Sequence, residues 1–227
     1  MEYLITKHVP LKYFKDVYIN LFSKAWDYVL SATIHKKYYF FNVLVDSTSF
    51  IIRKKNMVIL TIENNQCIGY LFAYIPSIGK VFHPILFLIN IVVTLMLSLS
   101  TIGRKIIKLN TVYQNSNWKA VEIANYGLTG INYKKTPIGC SVAVDPDFRK
   151  RGIYSNMIRY IFSFIDSKRD GPFIFQTSTE SDYIAHEKMG FKHLYSPPFP
   201  YLREPFFKEE DELISYIMYG FKEDLKL

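Results

Sequence analysis

The run Val142-Ala143-Val144-Asp145-Pro146-Asp147-Phe148-Arg149-Lys150-Arg151-Gly152-Ile153-Tyr154-Ser155 has the residue types and order for chemistry. An apolar stretch leads into an Asp/Pro turn, then a basic loop containing glycine, then the start of a helix. Such an order aims several backbone N–H groups and the positive end of a helix at one point, which is how proteins hold phosphates. Arg149, Lys150 and Arg151 add formal charge at the same place. The expected ligand is a polyphosphate.

The neighbouring segments must position that loop. Ile138 to Val144 reads as the strand that feeds it. Ser155 to Ser167 reads as an amphipathic helix with Met157, Ile158, Ile161, Phe162 and Ile165 on its apolar face, and Ser155 is placed to cap it. Asp170-Gly171-Pro172 breaks the chain before a strand at Phe173 to Thr177. A short helix, Asp182 to Met189, ends at Gly190. Phe191 to Tyr195 and Leu213 to Tyr219 read as the last strands, separated by a stiff segment, Ser196 to Pro205, with four prolines. Upstream, Leu11, Phe14, Val17, Leu21, Trp26, Val29 and Leu30 fall near helical spacing over residues 11 to 31. Met57 to Ile62 and Cys67 to Ile75 read as a hairpin turning at Asn64-Asn65. Residues 32 to 55 follow neither period. Residues 110 to 134, rich in Asn, Tyr and Gly, are expected to loop near the site.

Val81 to Gly103 is 23 residues without Asp, Glu, Lys or Arg. That length raises a membrane-spanning helix. A span is rejected because flanking strands of one sheet cannot lie on opposite sides of a bilayer. Asn90, Thr94 and Ser98 repeat every four residues and share one helix face, with Thr101 nearby. Arg104, Lys105 and Lys108 follow directly. The expectation is a helix set against the core, a second copy of the chain, or a membrane surface. Leu88, Val92, Leu95 and Leu99 should be its buried face. The polar stripe should meet water, headgroups or a hydrogen-bonding partner.

Composition narrows the partners. The chain has 227 residues, 49% of them hydrophobic and 17% aromatic, enough for a sizeable core and against disorder. A net charge of +8 favours anionic partners. The charge is spread along the chain, without a long Lys/Arg run, zinc-ligand spacing or nucleic-acid motif, so neither nucleic acid nor a metal is expected. Cys67 and Cys140 do not make a disulfide framework and read as buried thiols in strands. Met1 to Val9 is polar and mixed, without a signal-peptide pattern, and the expected compartment is the cytoplasm.

The ordered motifs resemble the acetyl-CoA-binding region of the GNAT N-acetyltransferase superfamily. There a strand ending in V-x-P is followed by R/Q-x-x-G-x-G/A and a helix. Here Val144-Asp145-Pro146 precedes Arg149-Lys150-Arg151-Gly152-Ile153-Tyr154, in which Arg149 and Gly152 match and Tyr154 stands where Gly or Ala is usual. Downstream, Glu187-Lys188-Met189-Gly190-Phe191 is similar to the family's Y-E-K-x-G-F. Ile68-Gly69-Tyr70 resembles its V-G-Y/F strand. The likeness covers residues 138 to 195.

The resemblance implies an α+β (or α/β) GNAT fold: a mixed, mostly antiparallel sheet that splays beside its central strand and is flanked by helices. Residues 1–227 would form one domain, with a hydrophobic helical insertion around 82–109 and an acetyl-CoA-binding core at 138–195. The pantetheine arm would lie along the backbone of Val142, Ala143 and Val144. The pyrophosphate would sit on Arg149, Lys150, Arg151, Gly152, Ile153, Tyr154 and Ser155. The implied reaction moves acetyl from acetyl-CoA to the primary amine of a small acceptor. A tyrosine often protonates the departing thiolate in this family; His186 holds its position here, and Tyr183, three residues earlier on the same face, is the alternative. Where some relatives carry a carboxylate near the start of the central strand, this chain has Ile138 and Gly139. Glu122, Glu63 and Glu180 are then the candidate bases, and Thr179 stands where the family has an asparagine. Basic charge and the apolar insertion point to an amino sugar on a nucleotide or lipid carrier as acceptor. They also point to peripheral membrane contact or a homodimer through residues 82–103. Protein lysines and polyamines stay open as acceptors, although a basic surface disfavours cations. Tyr154, His186 and the missing carboxylate motivate an alternative, a catalytically degenerate acyl-CoA-binding or scaffolding protein.

Overall fold

The structure is a computed structural model. It describes residues 1–21, 24, 56–79, 84–101, 103–104, 107–108, 111, 122, 136–166, 170–177, 180–196 and 216–226. Its strands are β1 (Glu2–Thr6), β2 (Met57–Glu63), β3 (Gln66–Tyr74), β4 (Ile138–Val144), β5 (Phe173–Thr177), β6 (Lys192–Tyr195) and β7 (Tyr216–Gly220). Its helices include α1 (Pro84–Ser98), α2 (Ile153–Phe164) and α3 (Glu180–Lys188). The strands form one sheet in the order β1-β2-β3-β4-β5-β7-β6. Every neighbouring pair is antiparallel except β4 and β5.

The β2–β3 hairpin forms as the Asn pair predicts. Asn64 (φ 50°) and Asn65 (φ 62°) both adopt the left-handed conformation that a tight turn between twisted strands demands. Helix α3 stops as expected, with Gly190 at φ 95°. The expected helix over 11–31 takes a different local form where it is described: a 3-10 turn at Leu11–Tyr13, then a wider π-helical stretch, Asp16–Leu21. That stretch buries Val17, Tyr18 and Leu21 on the sheet. Residues 22–23, 25–55, 112–121, 123–135 and 197–215 lie outside the described residues. The rest of that first helix, the 110–134 loop and the proline-rich segment therefore fall there almost entirely.

Both sheet faces are covered, which explains why β2 reads as an unbroken apolar run. On one face Val9, Tyr13, Val17, Tyr18 and Leu21 pack against Val58, Leu60, Tyr70 and Phe72. On the other, Ile153, Met157, Ile158, Ile161 and Phe162 of α2 pack against Ile59, Leu71, Phe173, Phe175 and Phe191. Ile89 of α1 and Cys140 of β4 both lean on the first cluster. Cys67 is buried as expected, whereas Cys140 is only half-buried.

Helix α1 corrects the sequence reading of its faces. Among its described side chains Val93 and Leu97 are buried, while Leu88 (61%), Leu95 (60%) and Leu99 (85%) stand exposed along with Val92. The four-residue repeat located the polar stripe, but the core took the flank holding Ile89, Val93 and Leu97 and not the side opposite. The Ser98 hydroxyl donates to the Leu95 carbonyl (2.7 Å) and Arg104 to the Ser98 carbonyl (3.0 Å), so the helix end satisfies itself. Among the described residues no helix is long and apolar enough to cross a membrane.

Strand β4 pairs with β5 only at Ile138↔Ile174 and Gly139↔Phe175, then leaves it. Gly139 makes that short parallel contact possible. A Cβ there would lie 2.8 Å from Phe173 Cζ and 2.9 Å from Phe175 Cβ. Gly139→Val should lower stability by about 2–3 kcal/mol through overpacking. Urea denaturation of the variant against wild type measures it.

Candidate functional site

The parting of β4 from β5 leaves a strand edge beside the gap between them. The Asp145 N–H donates to the Ile68 carbonyl (2.9 Å), so the backbone of Asp145 is turned toward β3. Antiparallel alternation then turns Val142 and Val144 the other way, toward the gap. Ala143 is buried and Val142 exposed. Among the described residues no strand pairs with this edge beyond Gly139.

At the end of β4, Asp145 organises the turn. Its Oδ1 accepts from the Asp147 N–H (3.2 Å), and its Oδ2 meets Lys24 Nζ at 2.7 Å. That hydrogen bond holds the Lys24 ammonium above its ordinary range. The Lys24–Asp145 pair ties the N-terminal region to the loop across 121 positions, and no local pattern announces it. Past the turn, Lys150 (φ 64°) and Gly152 (φ 72°, ψ 9°) are both left-handed. Gly152, and not Ser155, precedes α2 as its cap, and no side chain bonds that end. Ser155 instead lies within the first turn. The first α2 bond is from the Asn156 N–H to the Gly152 carbonyl (3.0 Å), so the N–H groups of Ile153, Tyr154 and Ser155 begin the helix without an intrahelical acceptor. Among the described residues, the N–H groups of Lys150, Arg151 and Gly152 have no partner either. Residues Lys150 to Ser155 thus present six consecutive N–H donors without a partner among the described residues. The side chains of this loop contribute less. Arg149 and Lys150 are exposed, and Arg151 lies over the Phe148 ring (4.8 Å) with its guanidinium 3.5 Å from Glu63.

Tyr154, the departure from the motif, is used. Its hydroxyl reaches from α2 to His186 Nε2 on α3. His186 is 5% exposed and caged by Phe175 (ring centroids 4.3 Å), Phe191 (5.7 Å) and Tyr154 (5.0 Å). Its Nδ1 is bonded to the Asp182 carbonyl. A carbonyl only accepts, so Nδ1 carries the hydrogen and Nε2 accepts from the phenol. Burial holds the imidazole below its ordinary pKa and pushes the Tyr154 phenol well above its own. Phe175 is the last β5 residue paired with β4, so the phenol–imidazole pair sits over the point where the strands part.

The other candidates are not drawn together. The Tyr183 hydroxyl donates to the Glu187 carboxylate, which raises its pKa, and its ring lies against Tyr216 (4.7 Å). Glu180 begins α3 and is exposed, as is Glu122. Glu63 is the ion-pair partner of Arg151. Thr179 lies outside the described residues.

Among the described residues the mixed sheet of seven strands, parting after Gly139 with helices on its faces, has the GNAT fold. The solved structures it superposes on include an insect protein assigned as arylalkylamine N-acetyltransferase 7, from the yellow fever mosquito Aedes aegypti. That match has 12% identity over 96% of this chain and 87% of that one, with a TM-score of 0.56. An N-acetyltransferase from Staphylococcus aureus Mu50 matches at 11% identity over 96% and 100%, TM-score 0.53. A protein from Bacillus anthracis str. Ames assigned as a streptothricin acetyltransferase, solved with acetyl coenzyme A, matches at 10% identity over 74% of this chain and 62% of that one, TM-score 0.42. No family model and no curated protein matches the sequence. At such identities the likeness carries the fold, and the chemistry rests on the site.

Proposed function

We propose that this chain is an N-acetyltransferase that uses acetyl-CoA as co-substrate and acetylates the primary amine of a small acceptor. The observation that carries the reading is the continuous path from the β4–β5 parting, along the outward edge of Val142 and Val144, to the donors of Lys150 to Ser155. A pantetheine arm fits an open strand edge, and a pyrophosphate fits a cradle of N–H groups. Side-chain charge at Arg149, Lys150 and Arg151 assists from the rim.

His186 and Tyr154 carry the proposed proton transfer. The attacking amine must lose a proton and the departing sulfur must gain one. The neutral Nε2 takes the first by way of the Tyr154 hydroxyl and returns it by the same route, so the count closes without a second base. Burial or exposure favours this pair over the alternatives. Glu63 is ion-paired, Glu122 and Glu180 face solvent, and Tyr183 is engaged with Glu187. The acceptor class we propose is an amino sugar on a nucleotide or lipid carrier, supported by the net charge of +8 and the apolar helix α1. Contact with a membrane or a second copy through residues 82–103 belongs to the same reading. Two free thiols, Cys67 and Cys140, suit a cytoplasmic setting.

Isothermal titration with acetyl-CoA and CoA, followed by thiol release across a panel of amines, tests the reading. Binding with turnover of at least one amine is the expected result, and no binding at millimolar cofactor would sink it. A second reading, an acyl-CoA-binding or scaffolding protein without catalysis, draws support from the occupied Nε2 of His186. Binding without turnover of any amine would favour that one.

A further inference from the structure

We infer that helix α1 is a docking surface for an anionic lipid bilayer, entered by the apolar face that stands exposed among the described residues. Eight large apolar side chains between Ile85 and Leu99 are exposed. Going round the helix at 100° per residue, Phe87, Leu95, Leu88, Val92 and Met96 follow one another over about half the circumference. Val93 and Leu97, with Ile89 beside them, fill the flank against the sheet. Thr94 lies at the border of the exposed arc next to Phe87, and Ser98 falls just inside it, between Phe87 and Leu95. The segment from Pro84 to Ser98 contains no charged side chain, while Arg104 and Lys108 stand exposed just past its C-terminal end.

The size and shape of the face choose the occupant. A helix of 15 residues is about 22 Å long and about 10 Å wide, so half its lateral surface is roughly 350 Å². A stable protein interface needs about 800 Å² from each partner. This face alone is too small to hold a second copy. Its convex, charge-free arc is instead the form that sinks into fluid acyl chains at a membrane surface. As described, the helix is shorter than a hydrocarbon core of about 30 Å. Arg104 stands exposed just past the end of the helix, where an immersed helix would meet lipid phosphates. Arg104 is held there by its bonds to the Ser98 carbonyl (3.0 Å) and the Thr101 hydroxyl (3.3 Å). Ile89 of α1 and Cys140 of β4 pack against the same cluster, so α1 and β4 lie on one face of the sheet. The inference sharpens the membrane contact of the proposed reading, and its test is read separately from acetyl transfer.

The test is flotation with phosphatidylcholine vesicles, with and without phosphatidylserine, at low and high salt. The proteins are wild type, Leu95→Asp and Arg104→Glu. Leu95 is outside the core, so its replacement leaves the fold intact, which far-UV circular dichroism checks. Wild type should float with the phosphatidylserine vesicles and bind them less tightly at high salt. Leu95→Asp should lose about tenfold or more in partitioning, and Arg104→Glu should lose most of the preference for anionic lipid. The inference is overturned if wild type stays in the soluble fraction at low salt, or if Leu95→Asp floats as wild type does. A wild-type dimer that Leu95→Asp dissociates, without vesicle binding, also overturns it. Vesicle binding without amine turnover would uphold this surface and remove the enzymatic reading; turnover without vesicle binding would do the reverse.

Discussion

In Gly152→Val, acetyl-CoA should bind about tenfold or more weakly than to wild type, because a β-branched residue in the left-handed region costs about 1–2 kcal/mol. Steric crowding within the loop is not the cause, since a Cβ on Gly152 meets no protein atom within 4 Å. The cost lies in the backbone: at φ 72° the residue prefers to leave the left-handed region, and leaving it swings the N–H groups of Gly152 and Ile153 off their common target. Arg149→Ala should cost only about twofold to threefold, because one exposed charge is screened by salt. Titration calorimetry at physiological ionic strength compares the two, with circular dichroism confirming that both are folded. The reverse order of effects, Arg149→Ala abolishing binding and Gly152→Val preserving it, would mean that side chains and not the backbone cradle hold the phosphate.

The second large effect concerns His186. His186→Ala removes a buried ring and leaves the Tyr154 phenol, itself desolvated, without its acceptor. Cavity and orphaned donor together should cost about 3 kcal/mol, read as a lowered urea midpoint. The pH dependence has a defined sign. The folded pKa of His186 lies below the ordinary value of 6.5, so the unfolded chain binds more protons in the interval beneath it. Stability from the neutral imidazole is therefore fully present above about pH 6.5 and is lost as pH falls toward the folded pKa. Groups facing the ring are Tyr154 from α2 and the Asp182 carbonyl from its own helix, with Phe175 and Phe191 around it. Protonation would place a charge in that cage and strand the phenol's hydrogen. In His186→Gln, which stays neutral and can still accept from Tyr154, the fall in unfolding midpoint between pH 7 and pH 5 should be smaller than in wild type. If wild type and His186→Gln lose stability in parallel, the buried imidazole is not the titrating group. Loss of amine turnover in His186→Gln with cofactor affinity unchanged would add the proton-transfer role to the structural one.

What the sequence determined by itself is the part governed by a few consecutive residues. The Asn64-Asn65 turn, the stop at Gly190, and the order of strand, loop and helix from Ile138 to Phe164 are local consequences of backbone preference and apolar period. The open N–H groups from Lys150 to Ser155 follow from the same local order, because they belong to one continuous stretch. Only the tertiary structure decided what depends on packing between distant segments. Tyr154 looked like a defect in the motif until α3 brought His186 to its hydroxyl, 32 positions away. Lys24 gained its role only when folding set it on Asp145. The same holds for α1, where periodicity could sort polar from apolar positions but not choose between two apolar flanks. The sheet took Val93 and Leu97 and left Leu88, Leu95 and Leu99 outside, since burial is set by where a helix lands and not by its own pattern.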